Sequence, residues 1–301
     1  MSSINVVTRW EDWRKLMGPP SSRQRKAINA WLETRPCLLF WGDSWFSTPL
    51  YPNLARQAIA RMDALSMLIG KPGAQAAQLF SASAVRNVAD RIASNPFDLL
   101  CVSAGGNDAL SERLQRVFAD WTGRSRKPPI SADDAYALLL DSGIFTRIHD
   151  AYVRLLDSLA PVRRKRPAFR VIAHGYAPLV RIGVAGDLTV PNIGLIAIIK
   201  DDVGPWLWSV MKHVLPDLAE GKRFADRLLS DGFRDTVLVR LRRDFPDLFD
   251  FVDFGTVAEI AVPTAWYDEI HPTGDGFAAL APLLTARIRT HLPQDKRTAV
   301  R

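Results

Sequence analysis

Four short apolar runs recur along the chain: CLLFWG at 37–42, FDLLCVSAGG at 97–106, FRVIAHGY at 169–176 and LFDFVDF at 248–254. Each is rich in Val, Ile, Leu or Phe and bounded by Gly, Pro or Asp, the mark of strands buried on both faces. DALSMLIG at 63–70 is a weaker fifth. Between them the period lengthens. Ala77, Leu79, Val85, Val88 and Ile92 form one helical stripe, and a longer pattern runs from Ala132 to Leu159, ending before Pro161. A last stripe, Phe277, Leu280, Leu284 and Ile288, contains Pro282, which predicts a late start or a kink there. Strands alternating with helices predict an α/β fold, a three-layer α/β/α sandwich around a parallel sheet of about five strands.

Residues 181–215 break the alternation. They hold four glycines, two prolines, two tryptophans and the apolar run Ile193 to Ile199, where a minimal α/β unit needs only a few residues. The disturbance predicts an insertion at about 181–245. Its apolar run is shorter than the roughly 20 residues a bilayer span needs. It reads either as a lid or wall of an apolar pocket, or as an extra helix and loop packed on the sheet. Ahead of the first run, residues 1–36 read as a helical extension whose Trp10, Trp13 and Trp31 dock on the domain or meet another chain. The domain itself occupies 37–292 and a tail 293–301.

Composition narrows this little. With 301 residues, 48% hydrophobic and 24% charged, the chain has the make-up of a soluble globular protein, one domain plus insertion. The net charge of +7 is spread along the chain, so a nucleic-acid partner is not indicated. The densest basic run, Arg163 to Arg166, reads as a solvated connection between helix and strand, with a phosphate or lipid contact as its alternative. The first twenty residues lack the apolar core of a signal peptide, and Cys37 and Cys101 both fall in strands. A cytoplasmic, reducing location is the expectation, although export without a cleaved signal leaves the same pattern. No His, Cys and acid cluster has zinc spacing, so neither a metal nor another cofactor is expected.

Three polar clusters fall after the strands or in loops able to reach their carboxyl ends, where open parallel sheets bind ligands. They are Gly42-Asp43-Ser44, Gly105-Gly106-Asn107-Asp108 and Asp268-Glu269-Ile270-His271-Pro272. Singly, each has a commoner job. Ser44 suits a turn, Asn107 or Asp108 a helix cap, His271 a surface position. Jointly they supply a weak nucleophile in Ser44, an imidazole base in His271 and an orienting carboxylate in Asp268. An oxyanion then needs fixed donors, which the Ser44 N–H, the Asn107 amide and a glycine N–H can provide. Gly73 is the candidate glycine, with Gly70 as rival. His174, at the end of its strand, competes as base but has no acid near it in sequence.

These motifs in this order resemble the SGNH hydrolase superfamily, the GDSL-type esterases and lipases, over roughly residues 37–290. The resemblance implies a flavodoxin-like sheet and a carboxylic ester hydrolase working through an acyl-enzyme. It makes Ser44 the nucleophile, His271 the base and Asp268 its partner, and it puts the Ser44 N–H, Gly73 and Asn107 in the oxyanion hole. Asp43, Gly105 and Asp108 support them. Trp45 stands where the family usually has leucine, and the loop around Gly73 matches only loosely. The family's substrates span acetylated sugars, short esters, thioesters and lipids. The Trp-rich insertion and positive charge favour a lipid or longer acyl chain here, with peripheral membrane contact. Two other classes remain open: a lipase effector aimed at a competitor's membrane, and a sugar- or acyl-binding protein without turnover. Oligomeric state is not legible.

Overall fold

The apolar runs become strands of one parallel sheet in the computed structural model, which describes residues 6–48, 52–110, 112–124, 126–186 and 204–301. The strands are β1 (Val6–Val7), β2 (Cys37–Gly42), β3 (Leu65–Gly70), β4 (Leu99–Ser103), β5 (Arg170–His174) and β6 (Phe249–Val252), in the order β1-β3-β2-β4-β5-β6. Six strands thus replace the expected five. The additional one is two residues long, too short to leave a pattern, and joins the sheet by pairing Val6 with Ser66 and Val7 with Met67. The Ile193 to Ile199 run lies outside the described residues.

Alternate side chains of β2 feed the two outer layers. Phe40 meets Phe46 on one face, where Phe46 packs on His174. Trp41 meets Phe80 on the other, and Phe80 packs on Tyr152 of the long helix Ile144–Lys165. Helices Leu54–Ile59 and Gly274–His291 pack together, as do Ala82–Ala93 and Ile144–Lys165. The fold is α/β with a parallel sheet between helical layers.

The leading segment docks on the domain. Trp13 is buried, stacks on Phe97 at 4.7 Å and donates its indole N–H to Asn95 at 2.9 Å. Trp10 packs edge-on against the same Phe97. At the other terminus, Lys296 reaches both carboxylate oxygens of Asp98 at 2.8 and 2.9 Å.

The helices depart from expectation at three places. The pattern from Ala132 to Leu159 divides at Gly143, whose φ of 70° is left-handed, into helices Ala132–Asp141 and Ile144–Lys165. The second runs through Pro161 to Lys165, so tertiary packing overrides the proline stop signal. The last helix starts at Gly274, capped by Thr273, and contains Pro282. A proline leaves the carbonyl four residues earlier without its helical donor. That carbonyl, of Ala278, accepts from the Arg61 guanidinium at 3.4 Å.

The basic run is only partly a solvated connection. Arg166 is half-buried and donates to the carbonyls of Asn95 and Phe97 at 2.9 and 3.2 Å, just beyond helix Ala82–Ala93. Cys37 and Cys101 are free, buried thiols. Among the described residues no helix is long and apolar enough to cross a membrane, and no group of three His, Cys, Asp or Glu could hold a metal.

Candidate active site

The sheet order reverses beside β2. The chain steps from β2 to β3 on one side, and β4 then joins on the other, so a crevice opens at the carboxyl ends of β2 and β4. β2 ends at Gly42, and the Asp43 N–H donates to the Ser103 carbonyl at 2.9 Å, holding the turn against β4. The buried Asp43 carboxylate accepts from the Ser103 hydroxyl at 2.6 Å, the Trp45 N–H at 3.1 Å and the Tyr176 hydroxyl at 2.6 Å. Three donors fix this acid, and it caps the short helix Ser44–Ser47 whose first residue is Ser44.

The candidate base arrives from a loop 227 positions away. His271 Nε2 lies 3.0 Å from Ser44 Oγ, and His271 Nδ1 lies 2.9 Å from Asp268 Oδ2. The other Asp268 oxygen accepts the N–H groups of Ile270 and His271, each at 2.8 Å. The carboxylate therefore shapes the turn that aims the imidazole at Ser44.

The rival histidine sits elsewhere. His174 is fully buried and its Nδ1 donates to the Gly175 carbonyl at 2.8 Å. Burial pushes its pKa down, and its Nε2 has no hydrogen-bond partner. Its ring stacks on Trp45 with centroids 5.4 Å apart, as a core aromatic would.

The loop after β4 turns at Gly105, whose φ is 114°. A Cβ there would meet the Phe233 ring at 2.3 Å, so both the backbone and the close ring require glycine. The next N–H, of Gly106, donates to the Tyr176 hydroxyl at 3.1 Å. Asn107 Nδ2 donates to the Ala74 carbonyl at 3.1 Å, which uses one of its two hydrogens. Asp108 does not cap its own helix. It accepts the Ala76 N–H at 2.7 Å, at the start of helix Ala76–Leu79, and burial raises its pKa to about 6.

Ser44, Gly106 and Asn107 line the polar end of a cleft, and Leu110, Leu179, Leu228, Leu229 and Ile270 line its apolar part. Neither Gly73 nor Gly70 lines it. Gly73 has a φ of 73° in the turn before Ala74. Gly70 closes β3, where a Cβ would stand 2.0 Å from the Gly42 carbonyl, so packing between strands explains it. The expectation of a third oxyanion donor at either glycine gains no support from their positions.

Four features escape sequence reading. Tyr176 ties Asp43 to the loop carrying Asn107. Arg181 donates to the carbonyls of Trp266 and Tyr267 at 2.7 and 2.9 Å, bracing the base loop. Glu269, buried beside Asp268, accepts backbone N–H groups from the chain near the insertion. Leu228 and Leu229 open a π-helix, Leu228–Val239, a rare form often found at functional sites. No local period marks the partners of these residues.

Neither family models nor curated proteins match this chain. Among solved structures, an extracellular lipase from Streptomyces rimosus is similar at 14% identity and a TM-score of 0.47, over 83% of this chain and 99% of its own. A phospholipase A1 from Streptomyces albidoflavus NA297 gives 15% identity and a TM-score of 0.44, over 84% and 99%. An acetyl xylan esterase from Butyrivibrio proteoclasticus gives 14% and 0.34, over 85% and 63%. At such distances no residue role passes from them to this chain.

Proposed function

We propose that this chain is a serine ester hydrolase of the SGNH, GDSL-like kind, with Ser44, His271 and Asp268 as its triad. The observation that carries the reading is the hydrogen-bond series from Ser44 Oγ to His271 Nε2 and from Nδ1 to Asp268, at 3.0 and 2.9 Å. A serine hydroxyl is a weak nucleophile until a base takes its proton, and a neutral imidazole held by a carboxylate does so near neutral pH. Ser44 Oγ attacks the ester carbonyl carbon while its proton moves to His271 Nε2. The oxyanion is met by the Ser44 N–H and the free hydrogen of the Asn107 amide. Collapse expels the alkoxide, which takes the proton from His271 and leaves as alcohol. Water, deprotonated by the same imidazole, then releases the acid from Ser44.

The apolar wall formed by Leu110, Leu179, Leu228, Leu229 and Ile270 supports an aliphatic acyl group rather than a charged or sugar-like one.

A fluorophosphonate probe and a chain-length series of p-nitrophenyl esters test the reading. Wild type is expected to be labelled and to prefer chains longer than acetyl, and Ser44→Ala to lose both properties while keeping its circular dichroism. A folded wild type that is neither labelled nor active would leave a binding protein as the better account. Activity confined to acetyl esters would overturn the acyl-chain assignment alone.

A further inference from the structure

Glu269 stands between the triad acid and base in sequence, yet points away from both. Its side chain is completely buried, an expensive place for a carboxylate unless every oxygen is satisfied. Among the described residues its carboxylate oxygens bond to backbone rather than to Ser44, Asp268 or His271. Instead, Oε1 accepts the N–H groups of Gly183 and Trp208, each at 3.0 Å, and Oε2 accepts that of Leu207 at 2.7 Å. Its own N–H donates to the Val184 carbonyl at 3.0 Å. These donors come from two separate stretches of chain, at 183 and 207–208, which one carboxylate gathers at one point.

The adjoining residue makes the connection to chemistry. Trp206 packs perpendicular to the His271 ring, with centroids 5.4 Å apart and an interplanar angle of 89°. Glu269 accepts the N–H groups of its neighbours Leu207 and Trp208, and that of Trp206 itself also stabilises the carboxylate. The loop is thus gripped on two sides. Asp268 fixes the turn from the inside through Ile270 and His271, and Glu269 fixes it from the outside through Gly183, Leu207 and Trp208.

We propose that Glu269 is a positioning residue, tying the base-bearing loop to the chain at 183 and 207–208 and so setting the Trp206 ring against His271. This role rests on the hydrolase reading only for its kinetic consequence. The geometric claim stands on the contacts themselves. A glutamine at 269 keeps one acceptor oxygen but turns an NH2 group toward a backbone N–H, so part of the grip is lost with little change of volume.

The test uses the full chain labelled in its histidine rings, with the five histidines assigned by substitution. In both Glu269→Gln and Trp206→Leu the His271 ring signals are expected to move. The double variant should move them no further, since both act through one contact. In ester hydrolysis, kcat per fluorophosphonate-titrated site is expected to fall about 10- to 100-fold with KM little changed, the mark of a displaced base. A merely structural role would instead lower the titrated fraction and leave kcat per site intact. Unmoved His271 signals in folded Glu269→Gln would overturn the proposal. If that variant does not fold, unmoved signals in Trp206→Leu would do so. Moved signals in a chain that hydrolyses no ester would uphold the positioning role and count against the hydrolase reading alone.

Discussion

The indole N–H of Trp45, next to Ser44, donates to the carbonyl of Ile270, next to His271, at 3.2 Å. A leucine, usual at this position in the family the motifs resemble, has no donor to make this strap. Trp45→Phe keeps most of the ring's packing against His174, Tyr176 and Phe277 but leaves the Ile270 carbonyl without this donor. It is expected to cost about 1 kcal/mol in denaturant unfolding and to lower kcat several-fold. An unchanged kcat would mean that the strap does not help hold the base.

Asp268 combines two tasks, and Asn at 268 separates them. The amide oxygen can still accept from Ile270 and His271, so the turn should persist by circular dichroism. The negative charge facing the imidazole is gone, and the amide favours the wrong tautomer. Asp268→Asn is therefore expected to lose about 1,000-fold or more in kcat, measured on the best p-nitrophenyl ester.

Asn107→Ala removes a side-chain amide that lines the cleft and its bond to the Ala74 carbonyl. On the proposed oxyanion role, kcat should fall about 100- to 1,000-fold while KM stays within about threefold. A rise in KM without loss of kcat would assign Asn107 to substrate binding instead.

Burial lifts the Asp108 pKa from 3.8 to about 6 in the folded chain. Between those values the folded state holds a proton that the unfolded state has released, so stability falls as pH rises. The contribution is fully present below about pH 4 and lost as pH passes about 6, an effect of roughly 2–3 kcal/mol at most. Asp108→Asn, which can still accept from Ala76, should flatten this segment of the unfolding free energy against pH. Asp250 works in the opposite sense. Burial raises its pKa, but hydrogen bonds from His291, the Phe251 N–H and Arg287 outweigh that and hold it at about 2. Its contribution is present above about pH 4 and lost as pH falls through 2.

Leu229→Trp puts bulk into the apolar half of the cleft. It is expected to cut kcat/KM for octanoyl esters about tenfold or more and to leave acetyl esters nearly unchanged. Equal loss across all chain lengths would place the acyl group elsewhere.

Local pattern carries the strands and the three polar clusters because each is written within a few residues. β2 is six buried positions in a row, and Asp268 and His271 are three apart. What pattern cannot carry are pairings between remote segments. Glu269 reads as an ordinary surface acid until Gly183 and Leu207 surround it, and Tyr176 meets Asp43 across 133 positions. Pro282 reads as a break because its remedy, Arg61, lies far back in the chain. Gly70 and Gly73 rival each other as oxyanion candidates in sequence, and only the packing of Gly70 between strands gives it another duty.

The order of strands also governs when chemistry first becomes available. Ser44 follows the interior strand β2, whereas His271 follows β6 at the sheet's outer margin. During refolding, hydroxyl and imidazole cannot meet until that margin has annealed, so regained turnover would report the docking of β6 and the chain after it rather than the formation of the sheet's centre.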